Sequence, residues 1–139
     1  MSGRDDEPTT SPEHDLPALP ATVAAAHLTA CAAELAGDIV AGRGGAASSV
    51  ADLAELTAVV DQLVDGQRYV AAALARLATH ITDRHRDGAL AVVEPSEIAA
   101  LTEVLAAAAT ASGHAAGALA QGRPVLDIVL AAAGPDAAI

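Results

Sequence analysis

The sequence predicts an all-α protein: an antiparallel bundle of three long helices with a short fourth helix at the C-terminus. Three observations predict this class. Alanine, a strong helix former, fills 38 of the 139 positions. Tyr69 is the only aromatic residue, which is too few for a β-sandwich or barrel. Large aliphatic residues recur at spacings of three and four over long segments, the period of helices that pack along one face.

The chain divides into a tail, a bundle and a frayed end. Residues 1–19 are rich in proline and acidic residues and lack core-forming side chains before Leu16, so we expect a disordered tail. The bundle is predicted over 20–133. Gly134 and Pro135 stop the last helix, and residues 134–139 are predicted to fray.

The first helix is predicted from Pro20, which suits a first helical turn, to about Ala41. Its packing face is marked by aliphatic residues at spacings of four, three and four. They are Leu28, Ala32, Leu35 and Ile39. The glycine-rich run 42–45 ends this helix as a loop.

The second helix carries the most regular pattern in the chain. Nine positions alternate strictly between spacings of three and four, and eight of them are large aliphatics. They are Leu53, Leu56, Val60, Leu63, Gln67, Val70, Leu74, Leu77 and Ile81. Such regularity indicates a coiled-coil type of packing. Ser49 and Asp52 form a variant of the capping box before the helix, and Gly88 is predicted as its left-handed C-terminal cap.

The third helix opens at Pro95, and its packing face thins from large to small residues along the chain. Its predicted positions are Ile98, Leu101, Leu105, Ala108, Ser112, Ala115 and Leu119. Gly113 and Gly117 add small residues that favour the close approach of a neighbour. Gly122 ends this helix, and a short fourth helix starts at Pro124. Short loops between four segments favour alternating directions.

Charge and termini exclude several classes of function. Seven arginines against 18 acidic residues give a net charge of −11, which opposes binding to nucleic acid and to anionic membranes. Residues 104–122 lack charge but are too rich in alanine and glycine for a membrane span. The acidic N-terminus does not fit a secretory signal, and Cys31 has no disulfide partner, so a cytoplasmic location is expected.

A candidate interaction patch lies in the middle of the second helix. Gln67 is the only polar residue among the nine regular positions, and such a residue can fix register or oligomeric state. Asp65 can pair with Arg68 three residues later, and Tyr69 offers an aromatic anchor. The alternative interpretation is one buried amide beside two solvated side chains.

A second and weaker candidate site comprises His27, Cys31, His80 and His85. Cys31 follows His27 by four residues, so the imidazole could lower the pKa of the thiol; a small buried cysteine is the plainer interpretation. His80 and His85 could offer metal ligands at a helix end, or complement its dipole. The chain has no Glu-x-x-His pair, and no cofactor is predicted.

The composition also resembles a known group of proteins. The absence of lysine and asparagine and the run Val70–Leu77 are typical of high-GC genomes. In these features the chain resembles the small, uncharacterised, alanine-rich helical proteins of actinobacteria such as streptomycetes. That resemblance implies a helical fold and carries no activity.

Together these observations predict a non-enzymatic helical protein that acts through protein contacts. Self-association, or contact with another helical protein, is expected because a core without aromatics buries little area per residue. The alternative is a metal- or small-molecule-binding protein, either a minor enzyme or a regulator with a ligand against the small residues of the third helix.

Overall fold

The computed structural model describes residues 20–41 and 50–139, apart from the side chains of residues 38–41. The described residues form four helices, which confirms the all-α prediction for them. These are α1 (Ala21–Ala41), α2 (Leu53–Arg86), α3 (Pro95–Gln121) and α4 (Arg123–Ala133). The predicted disorder of 1–19 and the predicted loop at 42–45 lie outside the described residues.

The chain divides into two units, Met1–Ser49 and Val50–Ile139. The division differs from the predicted single bundle over 20–133, because α1 falls in the first unit. Within α1 the carbonyl of Pro20 accepts from the N–H groups of Val23 and Ala24, as expected for a helix that opens at a proline. Leu28 is exposed on this helix and Leu35 is half-buried.

The helix α2 is capped by Asp52 and not by Ser49, so the predicted position of the capping box is wrong. The Asp52 carboxylate accepts from the N–H of Glu55 at 2.8 Å. The Glu55 carboxylate in turn accepts from the N–H of Ala51 at 2.6 Å. Both members of this box lie three positions later than predicted, and the donors that they satisfy are the N–H groups of Glu55 and Ala51.

The other end of α2 closes as predicted. Gly88 has φ of 85°, which favours glycine. The N–H of Gly88 donates to the carbonyl of His85, and the N–H of Ala89 donates to the carbonyl of Arg84. These are the two hydrogen bonds of a Schellman motif. The chain then turns back through residues 89–94 into α3.

The core of the second unit lies between α2 and α3, which run antiparallel. The end of α2 lies beside the start of α3, where Thr82 and Ile98 line one groove. At the far end of the pair, Arg123 reaches Asp61. The core is thin: the buried hydrophobic residues are Leu53, Val64, Ala78, Ile98 and Ala116.

In each helix, every second predicted packing position is displaced. At these positions the residue that follows the predicted one packs against the other helix. In α2 the residues turned toward α3 include Thr57, Val64, Ala71 and Ala78. The predicted residues Leu56, Leu63, Val70 and Leu77 each precede one of these. In α3, Thr102 and Ala116 are likewise more deeply placed than Leu101 and Ala115, whereas Ala108 and Ala109 are both half-buried.

Side-chain size explains this rotation. Small residues on the facing surfaces let the two backbones approach closely, and the close approach turns the larger leucines to the edge of the contact. Leu63 is 37% exposed and Leu77 47%, whereas Ala116 is only 2% exposed. The buried hydroxyl of Thr57 donates to the carbonyl of Leu53 at 2.8 Å, so it fits in this contact without another partner.

The short helix α4 continues in the direction of α3, which corrects the predicted alternation of directions. Gly122, the one residue between the two helices, keeps right-handed helical dihedrals (φ −73°, ψ −19°). Pro124 lacks an N–H group and so interrupts the hydrogen-bond ladder there. Arg123 lies at the level of Asp61, and residues after Gly134 lie beside the start of α2, so α4 also runs antiparallel to α2.

The C-terminal segment is held by α2 and does not fray as predicted. The first N–H groups of a helix have no partner within it. Here the N–H of Leu53 donates to the carbonyl of Ala137 at 3.2 Å, and the N–H of Ala54 to that of Pro135 at 3.2 Å. The N–H of Ile139 donates back to the carbonyl of Ala51. Residues 134–139 thus complete the cap that Asp52 begins.

Replacement of the cap residue should therefore destabilise the second unit. We expect Asp52→Ala to lower the free energy of unfolding by about 1 kcal/mol, because the N–H of Glu55 loses its acceptor. Urea unfolding followed by circular dichroism measures this. Asp52→Asn keeps an acceptor and serves as the control. A larger loss from Ser49→Ala than from Asp52→Ala would contradict the observed cap.

Two alanines of α2, one buried and one exposed, test the close approach of α2 and α3. Ala78 faces α3 and is buried, whereas Ala72 is exposed. We expect Ala78→Leu to cost about 1–3 kcal/mol through overpacking. Ala72→Leu makes the same change in a side chain that points into solvent, so it should leave the urea midpoint nearly unchanged. Equal effects of the two substitutions would show that the small residues do not set the distance between the helices.

Candidate interaction surface

An uncharged surface runs along one side of the α2–α3 pair. We call it the apolar strip. From α2 it contains Leu56, Val59, Leu63, Gly66, Val70, Ala73 and Leu77, and from α3 it contains Leu101, Val104, Ala108, Ala111, Ala115 and Ala118. Leu101 is 46% exposed and Val104 64%. A β-carbon added at Gly66 would meet no atom within 4 Å, so the strip is open there.

Both halves of the strip lie on the same side because the two helices are antiparallel. In each helix the exposed set precedes the packed set by one residue, as Leu63 precedes Val64 and Ala115 precedes Ala116. One residue is about 100° around a helix axis. When two antiparallel helices are viewed from one end, the preceding residue lies clockwise around the axis of one helix and anticlockwise around the axis of the other. The exposed sets of two facing helices therefore turn to one side of the pair.

The strip contains no charged residue, although Glu55, Arg76 and Glu97 border it. Asp61 and Arg68 are on the opposite side of α2, and Arg76 and Asp83 are on its back, facing away from α3. Glu103 of α3 borders the groove on the opposite side. Although the whole chain carries a charge of −11, the strip adds nothing to it.

Of the predicted patch, Asp65, Arg68 and Tyr69 share one exposed side of α2, and Gln67 points elsewhere. The nearest side-chain oxygen and nitrogen of Asp65 and Arg68 are 3.4 Å apart, as predicted, and both side chains are largely exposed. Gln67 is half-buried on the face toward α3. Tyr69, two positions later and so about 200° around the helix, is 77% exposed on the far side. Residues adjacent in sequence point in different directions here.

The residues of the weaker predicted site belong to both units. His27 and Cys31 are exposed on α1, at the predicted spacing of four. His80 is exposed on α2, whereas His85 is half-buried beside the start of α3. Over residues 20–41 and 50–139, no three histidine, cysteine, aspartate or glutamate side chains lie close enough to hold a metal ion.

An open groove of about 440 Å³ lies on the side opposite the strip, near the turn between α2 and α3. It is lined by Thr82, His85, Pro95, Ile98, Ala99, Thr102, Glu103 and Ala106. The hydroxyls of Thr82 and Thr102 donate to carbonyls one turn back in their own helices. The groove lies before the alanine, serine and glycine segment of α3, where a ligand was expected.

A small ion-pair cluster joins α4 to α2 on that opposite side. The Arg123 guanidinium donates to the Asp61 carboxylate, and it also donates to Asp127 of its own helix at 3.1 Å. The hydrogen bond to Asp61, followed by that to Asp127, raises the pKa of Arg123. All three side chains are substantially exposed, so the cluster orients α4 more than it stabilises the unit.

Part of the strip could be found in the sequence. The positions Leu56, Val59, Leu63, Gly66, Val70, Ala73 and Leu77 again alternate between spacings of three and four, without a charged residue. The nine predicted positions share four of them, so one broad apolar face was interpreted as a single narrow one. The division of that face between a packed half and an open half depends on how closely α3 approaches.

Comparisons with known proteins assign no family to the chain: no protein-family model, curated protein or solved structure matches it. Among the described helices, none is both long enough and apolar enough to cross a membrane.

Proposed function

We propose that the protein is a non-enzymatic helical protein that acts through protein contacts and associates with itself through the apolar strip. The exposed leucines on an uncharged surface support this most strongly. An acidic protein gains solubility from a charged surface. Contiguous apolar surface of this kind marks sites of protein contact.

The thin core of the second unit supports the same proposal. Its five buried hydrophobic residues include two alanines, and the most deeply buried of the five is Ala116. A small domain with so little buried apolar area is only marginally stable. Covering the strip would remove Leu63, Leu77 and Leu101 from water, and each buried methylene group would contribute about 0.8 kcal/mol.

The strip also resembles the centre of a protein interface, which is poor in charge, more closely than the predicted patch does. A protein interface concentrates its binding energy in a desolvated centre from which charge is depleted. The strip has such a centre, whereas Asp65 and Arg68 form an exposed ion pair beside Tyr69. We therefore place the contact surface on the strip. Cytoplasmic location remains a prediction that rests on Cys31 being the single cysteine.

Substitution of two exposed leucines tests the proposal. We expect the full chain to show a mass above the monomer in sedimentation equilibrium at micromolar concentration, and the double variant Leu63→Glu, Leu77→Glu to be monomeric. Both leucines are partly exposed, so the variant should keep its helical circular dichroism. Burying the two new carboxylates between copies would be prohibitive.

Ala72→Glu is the matched control. It introduces the same charge at an exposed residue of α2 outside the strip, so association should be unchanged. Ala72 lies four residues after Arg68 and seven after Asp65, so loss of association with Ala72→Glu alone would return the contact surface to the side of the predicted patch. A wild-type chain that is monomeric at all concentrations would refute self-association.

A further inference from the structure

We propose that the occupant of the apolar strip is the same strip of a second copy, with α2 of each protomer lying on α3 of the other about a two-fold axis parallel to the helices. The inference rests on the proposed function, and it specifies the partner and the orientation. The resulting contact is a four-helix bundle made of two α2–α3 pairs.

The direction of the regular positions in α2 supports a second neighbour. Val60, Gln67, Leu74 and Ile81 turn toward α3, whereas Leu56, Leu63, Val70 and Leu77 lie in the strip. The average direction of these eight side chains therefore points between α3 and the open side. In a four-helix bundle each helix has two neighbours at about right angles, and its core positions point between them. Within the second unit, α3 supplies one of these neighbours.

The flanking residues repeat the same design on both sides. Toward α3, α2 presents Val64, Ala71 and Ala78; toward the open side, at the same spacing of seven, it presents Val59, Gly66 and Ala73. Small residues permit the close packing of α2 on α3. The equally small residues on the other flank would permit an equally close helix there.

The charge and size of the strip suit a second copy. No charged residue lies in it, so two acidic chains can meet there without like charges facing one another. From Leu56 to Leu77 the strip is about 32 Å long, at 1.5 Å per residue. Two helices with axes about 10 Å apart make the strip about 20 Å wide, so its area is roughly 600 Å² per protomer. The total of roughly 1,200 Å² reaches the lower limit for a specific, stable interface.

Side-chain volume selects the orientation. The α2 half of the strip carries five large residues, Leu56, Val59, Leu63, Val70 and Leu77. Beyond Val104 the α3 half carries only alanines, at 108, 111, 115 and 118. Packing α2 on α3 of the partner sets large residues against small ones, which fills space evenly. Packing α2 on α2 would oppose leucines and leave the alanines apart.

The register follows from contacts within one chain. Thr82 shares a groove with Ile98 and Thr102, and Asp61 pairs with Arg123. Between these two levels, Ala73 lies near the level of Ala108. A two-fold axis parallel to the helices preserves level, so Ala73 of one protomer should face the partner's Ala108.

Disulfide trapping between two single-cysteine proteins tests the geometry. In the full chain with Cys31→Ser, one protein carries Ala73→Cys and the other, labelled with ¹⁵N, carries Ala108→Cys. They are mixed in equal amounts and oxidised gently, and the products are identified by mass. A disulfide requires β-carbons about 3.8 Å apart, so only facing residues react well. We expect the labelled–unlabelled product to dominate.

Ala72→Cys mixed with Ala108→Cys is the matched control, because Ala72 is exposed outside the strip; it should yield severalfold less product. Dominance of the disulfide between two Ala73→Cys chains would overturn the orientation. A dimer in which the Ala72 and Ala73 variants react equally would overturn the strip as its interface while leaving self-association intact. Monomers alone, whether the strip is accessible or covered by another segment of the chain, would overturn both.

Discussion

The close approach of α2 and α3 is the constraint on which the rest of the structure depends. Ala71, Ala78, Ala109 and Ala116 replace the leucines that a conventional coiled coil would place between two helices. The helices gain contact between backbones and give up buried side-chain volume. As a result Leu63, Leu77 and Leu101 remain partly in water and form part of the strip.

The ends of the α2–α3 pair are secured by backbone and polar groups. At the turn, Gly88 closes α2 with a Schellman motif. At the other end, Asp52 and the carbonyls of Pro135 and Ala137 satisfy the first N–H groups of α2. Arg123 adds an ion pair to Asp61 there. These contacts fix where the two helices begin and end, and they leave the strip between them free.

The sequence predicted the helices well because local signals define them. Periodicity, Pro95 and Gly88 marked the bounds of α2 and α3 within a few residues. Ser49 was predicted as the cap, but Asp52 with Glu55 three residues later fits the same rule, and the Asp52 carboxylate accepts from the N–H of Glu55. The direction of α4 depends on the helical dihedrals of Gly122, which glycine does not specify by itself.

The surface was harder to predict because it depends on the distance between helices. Gln67 and Tyr69 are neighbours in sequence but lie on different faces of α2. The most direct measurement of the central claim is the paramagnetic broadening of leucine methyl signals by a soluble probe, recorded as the protein concentration rises. The account predicts that Leu63, Leu77 and Leu101 become protected at high concentration while Val92, 97% exposed in the turn, does not. Leucine methyls that stay as accessible as Val92 at every concentration would contradict it.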